Sequence, residues 1–221
     1  MGVLLMLMTI GGLVVAGFLL AISLIGKKTW LRNFKPGGVT VWFSFYVVML
    51  FGFSFTSTEK TLAVNEPKAF CGFYLDCHVH AVVTGVRTAK TIGYLTANGQ
   101  YTIIKVKVFS DARNPGIAFR LLEPSIVVKD GFNKFYERNE VVEEALPSAD
   151  VYLGQNIRGR ETVEKEIVFD LPNEVKDLRL DIREGYRIDQ AIEAVLVDDE
   201  DSLFHGRRYF KLQEQNDNAG L

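Results

Sequence analysis

Hydrophobic and polar positions change period along this chain, and the change marks its organisation. Val3 to Ile25 is a run of 23 residues without a charge. At 1.5 Å per residue such a helix is roughly 34 Å long, enough to cross a hydrocarbon core of about 30 Å. Val39 to Phe55 is a second uncharged run of 17 residues, rich in aromatics. It lies at the short end for a span and predicts mismatch or extension through Thr56 to Thr58. From there the period becomes two. Tyr101 to Ser110 places Ile104, Val106 and Val108 on one face and Ile103, Lys105, Lys107 and Phe109 on the other. The pattern predicts a strand with one buried and one partly wet face.

Further strands follow from the same alternation. Phe73 to Arg87 sets Cys77, Val79, Ala81 and Val83 against Asp76, His78 and His80. Thr88 to Gly99 reads as a polar connection ending in the turn signal Ala97-Asn98-Gly99. Ser110 to Gly116 is a turn cluster, followed by a short strand, Ala118 to Leu122. Ser125 to Lys129 and Phe132 to Glu137 flank Asp130-Gly131, a type I′ hairpin signal. Asn139 predicts the cap of a short helix, Glu140 to Leu146, with Glu143 and Glu144 on a solvated face. Thr162 to Asp170, Leu178 to Ile182 and Tyr209 to Leu212 read as the late strands. Tyr186 to Val197 fits either helical or strand spacing. Seven or eight short strands separated by turns predict a mainly β chain, an antiparallel β-sandwich, behind an N-terminal transmembrane helical hairpin. The predicted organisation is two helices in residues 1–56, a linker over 57–69, the sandwich over 70–212 and a polar tail over 213–221.

Charge sharpens this division. Residues 1–56 hold no Asp or Glu and four basic residues, Lys27, Lys28, Arg32 and Lys35. The rest carries 21 Lys and Arg against 27 Asp and Glu, a formal charge of −6 hidden within a whole-chain −2. An acidic domain is poorly suited to nucleic acid, so none is expected as a partner. The basic loop, residues 26–38, stays cytoplasmic under the positive-inside rule, placing both termini and the β domain outside. A signal-anchor that starts at Val39 and uses Lys27 to Lys35 as its basic flank puts the domain on the same side. A cleaved signal peptide is disfavoured because no Lys or Arg precedes the first apolar run. The expected location is the cell membrane, with the lipid bilayer as partner, the β domain extracytoplasmic, and a protein of the envelope as a further partner.

Cys71 and Cys77 are the only cysteines. In an oxidising compartment a pair forms one disulfide; two buried thiols are the alternative. Their spacing is not the Cys-x2-Cys of a redox-active pair.

Candidate chemistry is sparse. Asp76, His78 and His80 alternate onto one strand face and offer carboxylate and imidazole ligands for zinc or copper, a fourth ligand coming from elsewhere, for example His205. The bland reading is three solvent-facing polar side chains. Asp198-Asp199-Glu200-Asp201 offers oxygens to calcium but lacks the spacing and central glycine of an EF-hand. Ser202 and His205 are close in sequence without an orienting third residue or a nucleophile elbow. Arg207-Arg208-Tyr209 reads as ordinary surface charge or as a contact to anionic headgroups. No dinucleotide fingerprint or phosphate-binding loop occurs, and no cofactor is expected.

Phe70-Cys71-Gly72-Phe73-Tyr74, the Tyr101 strand and Leu121-Leu122-Glu123-Pro124 together resemble a group of bacterial membrane-anchored proteins of unknown function. Their exported domain is similar to immunoglobulin-like extracellular-antigen and lipoprotein modules. Val168-Phe169-Asp170-Leu171-Pro172 with Leu178-Arg179-Leu180, and Asp199 to His205 before a last strand, extend the likeness over residues 70–212. The resemblance implies an exported immunoglobulin-like sandwich and carries no catalytic residues. The apolar hairpin and the Glu140 helix are not general features of such modules. The function expected is a binding or scaffolding module rather than an enzyme; a metal-binding envelope domain and an accessory subunit of a membrane complex are the alternatives.

Overall fold

The computed structural model describes residues 2–26, 37–71 and 77–212. The basic loop read as cytoplasmic, the polar tail, Asp76 and the start of the Phe73 strand lie outside them, apart from a few residues at the loop's ends. The chain divides into two compact units, Met1–Glu59 with Arg187–Arg207, and Lys60–Tyr186 with Arg208–Leu221.

The second unit is a β-sandwich. Its strands are β1 (Lys60–Leu62), β2 (Lys68–Phe70), β3 (Val79–Ile92), β4 (Leu95–Ser110), β5 (Ala118–Phe119), β6 (Ser125–Lys129), β7 (Phe135–Glu137), β8 (Ile157–Arg158), β9 (Thr162–Leu171), β10 (Arg179–Arg183) and β11 (Arg208–Lys211). One sheet has the order β1-β11-β10-β6-β7, the other β2-β3-β4-β9, and β5 pairs with β8 alone. Every pairing is antiparallel except β1 with β11. Ile104, Val106 and Val108 of β4 meet Ala81 and Val83 of β3, Ile167 and Phe169 of β9, and Val128, Leu180, Ile182 and Phe210 of the facing sheet. This is the apolar face that the alternation predicts. Lys68 reaches from β2 to the carbonyls of Ile182 (2.9 Å) and Arg208 (3.4 Å), so a buried ammonium ties the two sheets together.

The opposite face of β4 is not wet throughout. Ile103 is fully buried, with Tyr101 and Val168, under Val142 and Leu146. Val142 comes from α3, a single helical turn (Glu140–Glu143) whose Val142 N–H donates to the Asn139 side chain at 3.2 Å, and Leu146 from the turn that follows it. Glu143 corrects the solvated-face reading. It is 3% exposed and accepts from both Arg138 Nε (3.1 Å) and Nη2, and from the Val168 N–H at 3.2 Å, with Lys165 Nζ 3.9 Å away. Glu144 is exposed as expected.

Three further expectations are corrected. The stretch read as a linker supplies β1 and β2, edge strands of three residues each, too short and polar to show an alternation. The β3–β4 reversal falls at Gly93-Tyr94, where Gly93 takes φ 57°, and not at Asn98-Gly99. There Ala97 to Gln100 bulge opposite the single Lys90, whose Nζ binds the Ala97 and Gly99 carbonyls. Gly99 is required by close approach, since a Cβ would collide with the Leu171 carbonyl. The Asp130-Gly131 turn is a longer loop with its left-handed residue at Asn133 (φ 64°). The Asp130 carboxylate accepts from the N–H groups of Phe132 (2.8 Å) and Lys134 (2.9 Å) and from Tyr136 Oη (3.1 Å). Burial pushes that carboxyl up, but the Lys134 and Phe132 N–H groups, Tyr136 and the Lys134 charge outweigh it and hold it below the usual range.

The first unit contains α1 (Gly2–Gly26) and α2 (Gly37–Thr56), both long and apolar enough to cross a membrane. Trp42 Nε1 donates to Thr9 Oγ1 at 3.0 Å, while Met6 clusters with Tyr46 and Leu50, so the helices run antiparallel. The ambiguous stretch after Tyr186 is a helix, α4 (Arg187–Glu193), in a segment that belongs to this unit although the sequence places it within the sandwich. Leu196 and Val197 complete the cluster of Met6, Tyr46 and Leu50. Tyr46 Oη donates to the Val195 carbonyl, Ser54 and Ser202 hydroxyls are 3.3 Å apart, and Gly206 N–H donates to Ser57 Oγ at 2.6 Å.

Candidate functional site

Cys71 and Cys77 form a disulfide, closing the connection between β2 and β3. Immediately after it the chain presents His78 and His80 on one face, two positions apart. Across the ladder His80 stands opposite Phe109, and Asp111 lies one step beyond the Val79–Ser110 pair, its N–H donating to the His78 carbonyl at 3.2 Å. The two imidazoles therefore converge on one carboxylate. His78 Nδ1 is 2.7 Å from Asp111 Oδ1, and His80 Nε2 is 3.2 Å from Asp111 Oδ2. The first is a hydrogen bond; the second is close in distance but not aligned as one, and the His80 nitrogen is buried. His80 stacks on Phe109 (centroids 5.1 Å, planes 18° apart), and His78 meets the edge of Phe119 at 5.5 Å. The His78 hydrogen bond holds the Asp111 carboxyl below the usual carboxylate range; desolvation opposes it and His80 adds to it.

Asp76, the third predicted metal ligand, lies outside the described residues. Among those described, no group of three or more His, Cys, Asp or Glu side chains is arranged to hold a metal ion. Asp111 carries the geometry in its place, joining His78 and His80 through hydrogen-bond distances. Its part was not legible because two irregularities in the β3–β4 ladder, at Val83/Gly85 and Ala89/Thr91, hide which residue stands across from the histidines.

The acidic loop has internal partners. Asp199 Oδ1 accepts from the Asp201 N–H at 3.0 Å, Asp201 lies 3.6 Å from Arg207 Nε, and Asp198 lies 3.8 Å from His205 Nε2. Burial pushes the Asp199 carboxyl up, the neighbouring charges of Asp201 and Glu200 adding to it while the Asp201 N–H and His205 oppose. The Ser202 and His205 side chains do not pair with each other: Ser202 faces Ser54, and His205 Nδ1 lies 2.9 Å from the Gly206 carbonyl oxygen.

A polar groove of about 600 Å³ lies at the end of the β4–β9 ladder, lined by Asn98, Gly99, Asn139, Asp170, Pro172, Asn173 and Glu174. Asp170 already accepts from the Asn98 N–H (2.9 Å), Asn98 Nδ2 (3.0 Å) and Gly99 N–H (3.0 Å), which fixes the bulge.

No family model and no curated protein matches the sequence. Solved structures of low identity are similar in part. A secreted protein of Mycobacterium tuberculosis, MPT63, is 13% identical over 59% of this chain and 100% of its own, with a TM-score of 0.43. The yjhA protein of Bacillus subtilis is 14% identical over 69% and 99%, with a TM-score of 0.41. An uncharacterized β-sandwich protein of Clostridium difficile is 11% identical over 71% and 96%, with a TM-score of 0.39. At these values the likenesses bring no function to the chain.

Proposed function

We propose that this chain is an integral membrane protein that holds a disulfide-linked β-sandwich outside the cytoplasm as a binding or scaffolding module, without catalysis of its own. One observation carries the reading: α1 and α2 leave many of their large apolar side chains uncovered. Val14 and Phe18 are each 65% exposed, Val48 68% and Val41 70%. Water does not tolerate two adjoining helices with such surfaces, whereas hydrocarbon does. At their contact Trp42 Nε1 donates to Thr9 Oγ1, so both polar groups are satisfied within the helix pair. The Cys71–Cys77 bridge supports an oxidising compartment for the sandwich. The non-catalytic part of the reading is supported by what surrounds Ser202 and His205: Ser202 bonds to Ser54, and His205 Nδ1 lies at the Gly206 carbonyl. Extraction of membranes with alkaline carbonate tests the anchoring. The protein stays in the pellet if the helices span, and release into the supernatant overturns the reading.

A further inference from the structure

The segment between β10 and β11, residues 187–207, has a feature that packing alone does not require. Its Phe204 takes φ 63°, in the left-handed region that bulky side chains avoid. That backbone sets the ring outward, 69% exposed, rather than into the Leu196–Val197 cluster. There it stacks on Phe55 of α2 (centroids 5.7 Å, planes 19° apart) and lies 6.2 Å from Phe51. Phe55 is itself 70% exposed, and the adjoining Leu203 is 45% exposed. An outward aromatic surface thus runs without a break from α2 onto the segment.

The stagger of the helices explains the position. Trp42 meets Thr9, so α2 continues well past the start of α1. At that start Gly2 lies so close to the Val197 backbone that a Cβ would collide with it. The segment lies beside the end of α2, using Ser202 against Ser54 and Gly206 against Ser57. Its irregular backbone is tied down there: Val195 carbonyl accepts from Tyr46, and Leu203 N–H donates to the Ala194 carbonyl at 3.0 Å. Irregular backbone at a membrane surface needs such partners.

We propose that Leu203 and Phe204 insert into the outer interfacial layer of the bilayer, making this segment a third membrane contact beside the two helices. It rests on the membrane-spanning reading of α1 and α2. The occupant is lipid because the exposed rings continue the lipid-facing surface of α2, and aromatic rings favour the boundary between headgroups and acyl chains. The acidic run Asp198 to Asp201 in the same segment limits the depth, since its charges stay with the headgroups.

Site-directed spin labelling of the full chain in phosphatidylcholine–phosphatidylglycerol vesicles tests this. The native cysteines are bridged, so a single introduced cysteine takes the nitroxide. Phe204→Cys and Leu203→Cys report the segment, Phe45→Cys reports α2 and Tyr94→Cys reports the exposed tip of the β3–β4 hairpin. Labels at 204 and 203 are expected to collide more with oxygen than with a water-soluble nickel chelate, like the label at 45 and opposite to that at 94. Labels at 204 and 203 that both behave like 94, while 45 reads as lipid, overturn the inference alone. A label at 45 that reads as aqueous overturns the spanning reading, and the inference with it.

Discussion

At the scale of single residues, partners decide more than residue type. Asp76, His78 and His80 are candidates because alternate positions on a strand share a face, a logic that holds for the two described histidines. It could not name Asp111, which meets them only through the β3–β4 register. The ionised carboxylate is favoured in the folded state, so the folded pKa of Asp111 lies below its unfolded value. The associated stability is present above the ordinary carboxylate range, near pH 4, and is lost as pH falls through the lower folded value. Asp111 is half exposed, and solvent screening limits the effect to about 0.5 kcal/mol. Asp111→Asn is expected to flatten the acid side of the stability profile by that amount, as read by urea midpoints of the full chain in mild detergent. Glu143 is the opposite case. Neighbouring glutamates on a short helix look alike in sequence, yet one is exposed and the other is held by Arg138 and the Val168 N–H. Glu143→Ala removes the buried carboxylate that Arg138 and the Val168 N–H bind and is expected to cost about 3 kcal/mol, against less than about 0.5 kcal/mol for Glu144→Ala. Comparable midpoints for the two variants would refute the buried network.

At the scale of elements, what was legible is what a period can carry. β4, β6, β9 and β10 alternate over five residues or more, and the observed bounds fall within a residue or two of the expected ones for all but the start of β4. β1 and β2 span three residues each and have no period to read. Asn98-Gly99 has the chemistry of a turn, but the chain uses it for a bulge held by Asp170 and Lys90, while the reversal lies five residues earlier at Gly93-Tyr94. Tyr186 to Val197 fits two periods because its apolar residues serve the helical unit, where Ile192, Leu196 and Val197 pack with Met6, Tyr46 and Leu50. The Cys71–Cys77 bridge closes a short connection between β2 and β3. Chain entropy gives such a loop about 2 kcal/mol. Cys71→Ser with Cys77→Ser is expected to lower unfolding stability by about that much and to abolish its dependence on reductant; an unchanged midpoint would show that the bridge adds no stability.

At the scale of the whole molecule, the charge step after residue 56 and the two uncharged runs were enough to separate an apolar part from an acidic one. They were not enough to show that a later segment of the chain belongs to the helical unit. The chain passes between the two units after Glu59, after Tyr186 and after Arg207. A single tether is therefore the wrong picture, and the segment from Arg187 to Arg207 cannot be cut away from the helices without removing the cover of Met6, Tyr46 and Leu50. This also bears on how the protein should be studied, since a fragment beginning at residue 57 leaves Leu196 and Val197 without their partners. The central claim, a sandwich displayed outside the cytoplasm by a membrane hairpin, is tested most directly by paired reporter fusions after Lys35 and after Leu221 in the same host. An enzyme active only in the cytoplasm is expected to be active at Lys35, and one active only after export is expected to be active at Leu221. Cytoplasmic activity at Leu221 would contradict the account.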